Sequence, residues 1–209
     1  MAALPRIKIC GLSRPQDIEV INEVRPDYAG FVFAKSSRQV SPAQAQLLRE
    51  QLDVGITSVG VFVDAAIERI VDLVKAGIIE VVQLHGSEDE FFLQELRERC
   101  AAPLIKAFTV RSAADIEAAD NTPADMLMMD NGKGTGERFD WEFLREMPPL
   151  AHPWFLAGGI DVKNLSSALA LEPWGIDVSS GVETDGRKDP DKIRALVQTA
   201  RLTGHAANQ

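Results

Sequence analysis

Apolar residues fall into short continuous runs, rich in β-branched side chains, that recur roughly every 20 to 30 residues along the chain. The runs cover residues 6–10, 28–33, 56–63, 80–84, 103–108, 126–129, 154–157 and 175–178. A strand with one solvated face alternates apolar and polar residues, whereas a strand buried on both faces reads as a continuous run. The pattern therefore predicts eight strands of a parallel sheet.

The segments between these runs are amphipathic and begin with residues that cap helices. Ser13, Ser41 and Ser87 each stand three residues before a Gln or Glu, which is the spacing of a capping box. Pro42 suits the first position of its helix, where a missing N–H costs little. The other predicted helix starts are Asp64, Asp140, Asp161 and Asp189.

Eight strand–helix units in 209 residues predict an α/β fold, a (β/α)8 or TIM barrel, as one domain over residues 1–209. An open doubly wound sheet would use the same alternation with fewer units. No low-complexity linker or change of composition marks a domain boundary in the sequence. Residues 204–209 are expected to form a frayed tail, as chain ends usually do.

Composition and charge narrow the class of partner. Hydrophobic residues make up 45% and charged residues 25% of the chain, as in an ordinary globular protein. The net charge of −9 is spread along the sequence and argues against nucleic-acid binding, which needs a basic surface to meet phosphates. A phosphorylated small molecule stays compatible with this charge, because local backbone amides hold phosphate against an acidic background.

The number of cysteines and the hydropathy of the chain bear on metal binding, membrane insertion and cellular location. The two cysteines, Cys10 and Cys100, are too few for a disulfide framework or a Cys-x-x-Cys metal site. No leader segment and no apolar stretch long enough to span a membrane occurs in the sequence. We therefore expect a cytoplasmic protein without a metal or a membrane partner. A monomer and a homodimer are both compatible with the sequence.

Cys10 is the first candidate for catalysis, because catalytic residues of a barrel lie at the C-terminal ends of its strands. It closes the first strand, and Lys8 should point to the same side two residues earlier. The charge of Lys8 and the N-terminus of the next helix would favour a thiolate, unless a carboxylate pairs with Lys8. The alternative is an inert core cysteine, which is the interpretation that Cys100 receives at the end of a helix.

Asp130 is the second candidate, at the end of the sixth strand after four apolar residues. It either begins a loop or points inward with Met126 and Met128, where desolvation would raise its pKa and suit it to general acid catalysis. The glycines of residues 132–136 have neither the dinucleotide-binding nor the Walker spacing. They favour a mobile loop that closes over the mouth of the barrel.

Two glycine-containing turns follow the seventh and eighth strands. Gly158 and Gly159 come after the seventh strand, and Ser180 and Gly181 come after the eighth. Each turn alone is compatible with a plain tight connection. Together they predict a phosphate site, because barrels often bind phosphate through backbone N–H groups of these two loops.

Arg38 and His85 complete the candidates at the mouth. Arg38 follows the second strand and is either a solvated basic residue or a planar fork for a substrate carboxylate. His85 follows the fourth strand and is either a packed residue or a substrate contact. His152 and His205 lie at a strand entrance and in the tail, away from the predicted mouth.

In this order the motifs resemble the phosphoribosylanthranilate isomerase family over nearly the whole chain. The resemblance rests on Lys8-Ile9-Cys10-Gly11, Gly30-Phe31-Val32-Phe33, Ser37-Arg38-Gln39-Val40-Ser41, Gln83-Leu84-His85-Gly86, Gly134-Thr135-Gly136, Phe139-Asp140-Trp141, Leu156-Ala157-Gly158-Gly159 and Asp177-Val178-Ser179-Ser180-Gly181-Val182-Glu183. It implies an Amadori rearrangement in tryptophan biosynthesis that needs no metal or organic cofactor. N-(5-phosphoribosyl)anthranilate would become 1-(o-carboxyphenylamino)-1-deoxyribulose 5-phosphate.

The resemblance also implies roles for individual residues. Cys10 falls on the general base of the family and Asp130 on its general acid, while Arg38 falls on an arginine near the anthranilate carboxylate. The phosphate loops of the family fall on Gly158, Gly159, Ser180 and Gly181.

Two other functions stay open at this point. A different phosphosugar barrel enzyme, such as indole-glycerol-phosphate synthase, would be expected to use lysine and glutamate at its strand ends rather than Cys10 and Asp130. A non-catalytic barrel would bind a phosphorylated ligand or a partner protein and leave the ligand unchanged.

Overall fold

The computed structural model describes residues 4–130, 144–145, 147 and 149–206, with side chains up to residue 203. Eight parallel strands close into a barrel in sequence order, and the last strand pairs with the first. The strands are β1 (Arg6–Cys10), β2 (Tyr28–Val32), β3 (Thr57–Phe62), β4 (Val81–Leu84), β5 (Leu104–Thr109), β6 (Met126–Asp130), β7 (Trp154–Leu156) and β8 (Gly175–Val178). The predicted (β/α)8 barrel is confirmed, and strand ends differ from the predicted ones by one residue at most.

Helices connect the strands. The described residues form α1 (Pro15–Val24), α2 (Pro42–Gln51), α3 (Ile67–Lys75), α4 (Glu90–Arg99), α5 (Ala113–Ala119), α6 (Leu165–Leu169) and α7 (Pro190–Ala206). α7 continues into the segment 204–209 for which the sequence predicts a frayed end. The predicted helix start at Asp140 and the predicted mobile loop at 132–136 lie outside the described residues.

The inside of the barrel is filled by side chains that alternate with those facing the helices. One buried cluster contains Val59, Val81, Ile105, Ala107, Met126, Met128, Phe155 and Ala157. The ring of Phe155 packs edge to face on Tyr28 and on Trp174, with centroids 5.6 and 5.1 Å apart. Because Met126 and Met128 belong to this cluster, the strand alternation directs Asp130 inward as well.

The helix starts show where local patterns succeed and fail. Ser41 caps α2 as predicted: its Oγ accepts the N–H of Gln44 at 3.2 Å, and the Gln44 side chain accepts the N–H of Ser41 at 3.0 Å. The capping box predicted at Ser13 is wrong, because the buried carboxylate of Asp17 takes that place. It accepts the N–H groups of Ser13 and Arg14 at 2.9 and 3.0 Å.

The predictions for α3 and α4 are also wrong. Asp89 caps α4 by accepting the N–H of Phe92 at 2.9 Å, so the helix begins two residues later than a box at Ser87 requires. Asp64 does not cap α3, because its Oδ1 accepts the N–H and the hydroxyl of Ser87 at 2.7 and 2.8 Å. A contact across two loops has replaced both local ones.

Of the last two predicted helix starts, Asp189 is confirmed and Asp161 is wrong, because α6 begins at Leu165 with Asn164 as its N-cap. Asp161 accepts the N–H groups of Lys163 and Asn164 at 2.8 and 3.0 Å, in the turn that leads into α6. Asp189 accepts the N–H of Asp191 at 3.0 Å in the first turn of α7.

A short hairpin, which was not predicted from the sequence, follows β8. It consists of β9 (Glu183–Thr184) and the antiparallel β10 (Arg187–Lys188). Asp185 and Gly186 connect the two with φ of 53° and 73°, as in a type I′ turn, for which Asp-Gly is a strong signal. The pairing places Glu183 directly opposite Lys188.

Candidate active site

The ends of six strands and the loops that follow them carry the predicted residues at one mouth of the barrel. Cys10 ends β1 and Asp130 ends β6, and all eight strands run in the same direction. His85 follows β4 and lies close to Asp130, with Nε2 3.7 Å from Oδ2. The two side chains line a cavity of about 250 Å³ together with residues of β5 and of the loop after β4.

Lys8 is fully buried and forms an ion pair with a carboxylate. The sequence had left open whether such a pair exists. The Nζ of Lys8 lies 2.7 Å from Oδ1 of Asp177, which is its neighbour in register on β8. Burial lowers the pKa of Lys8, but the charge of Asp177 and interactions with Asp177 and Cys10, hydrogen bonds included, raise it by more. Lys8 is therefore a cation in the barrel interior with a carboxylate beside it.

This ion pair corrects the expectation of a thiolate at Cys10. Burial raises the pKa of the Cys10 thiol, and Asp177 raises it further. The positive charges of Lys8 and Lys188 and a hydrogen bond from Lys8 lower it, but by less in total. In the protein without ligand, Cys10 is thus a thiol, and the lysines reduce the cost of ionising it.

Arg38 already holds a carboxylate of the protein itself. Its Nε and Nη2 each lie 2.7 Å from one carboxylate oxygen of Glu183, in a bidentate pair that joins the β2 loop to the hairpin after β8. Lys188 donates to the same Glu183 at 2.6 Å and to the carbonyl of Ser179 at 2.9 Å. Burial would raise the pKa of Glu183, but these hydrogen bonds lower it, so the carboxylate stays ionised.

Sequence reasoning missed Glu183 and Lys188 as members of the site. A signal existed in the Asp-Gly dipeptide between them, which predicts a hairpin with the two side chains paired. The hairpin also places Lys188 under the mouth, with its side chain almost fully buried and its pKa lowered by burial.

The two predicted phosphate loops touch each other. Gly158 and Gly159 follow β7 with φ of 87° and 69°, a region that side chains rarely adopt. A Cβ atom at Gly181 would overlap the carbonyl oxygen of Ile160, so the loop after β8 packs directly on the loop after β7. Asn164 fixes the first loop by donating to the carbonyl of Gly159 at 2.8 Å.

Ser180 begins a single 3-10 turn, Ser180–Val182, between β8 and the hairpin. The hydroxyl of Ser179 donates to the carbonyl of Cys10 at 3.1 Å, which ties the second loop to the end of β1. The loop after β8 therefore contacts both the loop after β7 and the strand end that carries Cys10.

Within the described ranges, no group of three or more His, Cys, Asp or Glu side chains has a geometry that could hold a metal ion. No helix of the described residues is both long and apolar enough to cross a membrane.

Comparison with known proteins gives a consistent result. Residues 7–199 match the profile of the family N-(5'phosphoribosyl)anthranilate (PRA) isomerase. The N-(5'-phosphoribosyl)anthranilate isomerase of Endomicrobium trichonymphae is 43% identical over 204 residues, which cover 95% of this chain and 99% of that protein. The crystal structure of phosphoribosyl anthranilate isomerase from Thermus thermophilus has a TM-score of 0.85 and 32% identity, with 98% and 100% of the chains covered.

A second solved structure carries a ligand. It is a phosphoribosyl anthranilate isomerase in complex with reduced 1-(o-carboxyphenylamino)-1-deoxyribulose 5-phosphate, with 32% identity and a TM-score of 0.79 over 94% of this chain and 98% of that one.

The chain forms a closed barrel that carries a buried cysteine, an inward aspartate and two glycine-containing loops at one mouth. These features are those of a (β/α)8-barrel enzyme. Within that class it is an isomerase by its relatives. The chain belongs to the N-(5'-phosphoribosyl)anthranilate isomerase family, and the resemblance found in the sequence is confirmed.

Proposed function

We propose that this chain performs the Amadori rearrangement of N-(5'-phosphoribosyl)anthranilate with Cys10 as general base and Asp130 as general acid. The observation that carries the assignment of roles is the placement of both side chains at one mouth, at the ends of β1 and β6. An acid and a base on different strands reach different atoms of one substrate, which this reaction requires.

The reaction begins at the ring oxygen of the ribose. Asp130 gives its proton to that oxygen, the bond from the oxygen to the anomeric carbon breaks, and the nitrogen lone pair forms a protonated Schiff base. The Cys10 thiol loses its proton to solvent before this step, and the thiolate beside Lys8 and Lys188 then removes the proton from the adjacent carbon. The released electron pair gives an enolamine. In the last step the enol hydroxyl loses its proton and the former anomeric carbon gains one, which leaves a ketone and an amine.

The proton balance returns Asp130 to the acid and Cys10 to the thiolate. Asp130 has lost one proton and Cys10 has gained one, while the tautomerisation releases one proton and consumes one. We propose that Asp130 takes the hydroxyl proton and Cys10 supplies the carbon-bound one. Lys8 and Lys188 then have a defined task, because their charges stabilise the thiolate that forms in a buried place.

The activity is tested directly by adding freshly made phosphoribosylanthranilate to the protein and following the loss of its fluorescence. We expect turnover without added metal or cofactor. Turnover of the rearranged product instead would indicate an indole-glycerol-phosphate synthase. Tight binding of substrate that stays unchanged would indicate a non-catalytic barrel, and either outcome contradicts the proposal.

The phosphate of the substrate is assigned to Gly158, Gly159, Ser180 and Gly181. We expect Gly159→Ala to raise KM roughly tenfold or more with a smaller change in kcat, because the strained backbone at φ 69° displaces amides that bind a charged group. Inorganic phosphate should compete with substrate in the wild type and less well in the variant.

Gly77 provides the matched control for this prediction. It has the same φ of 69° and no atom within 4 Å of an added Cβ, so Gly77→Ala carries the backbone strain without touching the loops. An unchanged KM in Gly159→Ala, or an equal rise in both variants, would rule out the phosphate assignment.

Arg38 is proposed to bind the anthranilate carboxylate with the edge of its fork that Glu183 does not use. Its hydrogen bonds to Glu183 use two of five N–H groups. We expect Arg38→Lys to lower kcat/KM roughly 10- to 100-fold, because an ammonium cannot hold two carboxylates in one plane. Steady-state kinetics measure this loss.

A surface arginine serves as the control for Arg38. Arg194 makes the same bidentate pair with Glu23, at 2.8 Å for both contacts, on the helical surface away from the mouth. Arg194→Lys should leave kcat/KM unchanged. A full retention of kcat/KM in Arg38→Lys would show that Arg38 only pairs with Glu183.

The cytoplasmic location and the small phosphorylated substrate that the sequence predicts are part of the same proposal. The family is one of phosphoribosylanthranilate isomerases, and a relative binds a phosphorylated product analogue at 32% identity.

A further inference from the structure

Gln83 is a buried polar residue inside the barrel that the proposed mechanism does not use. It lies on β4 (Val81–Leu84), faces inward like Val81, and is 1% exposed. The same alternation directs His85, two residues later, into the mouth. Burying an amide costs free energy unless it forms hydrogen bonds, so the position of Gln83 between the barrel core and the mouth requires an explanation.

The amide nitrogen of Gln83 has two neighbours. Its Nε2 lies 3.0 Å from Nδ1 of His85 and 3.1 Å from the sulfur of Met128. The thioether sulfur only accepts, so it favours the amide nitrogen at this position over the amide oxygen. No donor among the described residues reaches the buried Oε1. Because Nδ1 of His85 can either donate or accept, the sulfur of Met128 is the contact that decides the orientation of the amide.

This orientation decides where the imidazole carries its proton. Because the amide donates to Nδ1, that atom of His85 must be an acceptor, and the proton of the neutral ring resides on Nε2. Nε2 lies 3.7 Å from Oδ2 of Asp130. A proton on Nδ1 would face the amide hydrogens of Gln83, so the contact favours the tautomer with the proton on Nε2.

The other charged groups around His85 are already satisfied. Lys106 of β5 and Glu88 of the loop after β4 line the same cavity. They bind each other at 2.9 Å, and Lys106 also donates to the carbonyl of Gly86 at 2.7 Å. Asp130 is therefore the charged side chain within ion-pairing distance of the imidazole in the described part of the mouth.

We infer that Gln83 is a positioning residue that holds His85 in the tautomer with its proton on Nε2, aimed at Asp130. When Asp130 gives its proton to the substrate, the Nε2–H group of His85 stabilises the carboxylate that remains. The inference rests on the proposed role of Asp130, but the tautomer of His85 is a property of the protein itself.

The test reads the tautomer by nitrogen-15 NMR, independently of activity. Above about pH 7, where an ordinary histidine is neutral, we expect a proton on Nε2 of His85 and none on Nδ1. The signals are assigned with His85→Asn. His152 is the internal reference, because its Nδ1 lies 2.9 Å from a carboxylate oxygen of Asp120 and should carry the proton instead.

Two substitutions connect the tautomer to catalysis. Gln83→Glu replaces the donor by an acceptor of the same shape, so His85 should acquire a proton on Nδ1. Gln83→Met keeps the length and removes both hydrogen-bonding atoms, so the proton should distribute over both nitrogens. We expect kcat to fall about tenfold in each variant, with KM within about twofold of the wild type.

The outcomes are separable. A wild-type spectrum with the proton on Nδ1 overturns the inference, whatever the kinetics show. Full kcat in Gln83→Glu with the His85 proton moved also overturns it. An unchanged His152 signal confirms that a variant is folded, and if one variant does not fold, the wild-type spectrum and the other variant still decide. Loss of substrate turnover in the wild type would contradict the proposed function and leave the tautomer assignment standing.

Discussion

Replacing Cys10 with serine is expected to lower kcat at least about 10²-fold, because proton transfer by a positioned side chain contributes roughly 10²- to 10⁴-fold. The serine hydroxyl is much less acidic than a thiol and hardly ionises, even beside Lys8 and Lys188. Burial already raises the pKa of the Cys10 thiol despite the nearby lysines, so their positive charges are too weak to ionise the less acidic serine hydroxyl. The loss is measured as kcat at saturating substrate, with folding checked by circular dichroism.

Cys100 is the matched control. It is also buried, at the end of α4, and is 8% exposed against 6% for Cys10. Cys100→Ser should keep the wild-type kcat. Retention of more than about a tenth of kcat in folded Cys10→Ser would show that the thiol is not essential to the proton transfer.

The ionisation of Cys10 can be followed without substrate. The ultraviolet absorbance of the thiolate, taken as the difference between Cys100→Ser and the double variant lacking both cysteines, should appear only above the pH of an ordinary thiol. This expectation follows from the raised pKa of Cys10, because burial disfavours the charged form and the protonated thiol therefore persists to higher pH. A thiolate at neutral pH would mean that Lys8 outweighs burial.

The barrel and the ends of its strands were predictable from the sequence because the relevant signals are local. Continuous apolar runs locate strands buried on both faces, and a parallel barrel places the residue after each run at one mouth. Cys10, Asp130 and the glycines after β7 and β8 follow from that rule alone. The inward direction of Asp130 follows from the alternation that begins with Met126.

The partners of these residues were not predictable, because the closed barrel joins distant segments. Lys8 and Asp177 are 169 positions apart and become neighbours only when β8 pairs with β1. Arg38 and Glu183 are 145 positions apart. Both contacts change the chemistry of the site. The first offsets the charge that would ionise Cys10, and the second occupies two of the five N–H groups of Arg38.

The capping boxes predicted at Ser13 and Ser87 are wrong because of a competing acceptor nearby. Ser13 and Ser87 have the spacing of a capping box, but a carboxylate competes with a hydroxyl for the same N–H groups and accepts more strongly. Asp17 and Asp89 therefore become the effective acceptors. Ser41 has no such competitor within its first helical turn and keeps the predicted role.

Replacing Asp130 with asparagine is expected to lower kcat about 10²- to 10⁴-fold, which corresponds to roughly 3–5 kcal/mol of barrier. The amide has nearly the same shape and can still accept a hydrogen bond from Nε2 of His85, but it cannot give a proton to the ring oxygen. Binding should survive, so the variant should retain affinity for reduced 1-(o-carboxyphenylamino)-1-deoxyribulose 5-phosphate, measured by calorimetry.

Asp125 at the opposite end of the same strand region supplies the control for Asp130. Its carboxylate accepts the N–H of Leu104 at 2.7 Å and pairs with Arg97 at 2.7 Å, so Asp125→Asn should lower stability and leave kcat unchanged. If folded Asp130→Asn kept more than about a tenth of kcat, the acid would have to be another group at the mouth. His85 is then the candidate, because its Nε2 lies 3.7 Å from the Asp130 carboxylate and faces the same cavity. His85→Asn would in that case lose the larger factor, whereas the roles proposed above require Asp130→Asn to lose it.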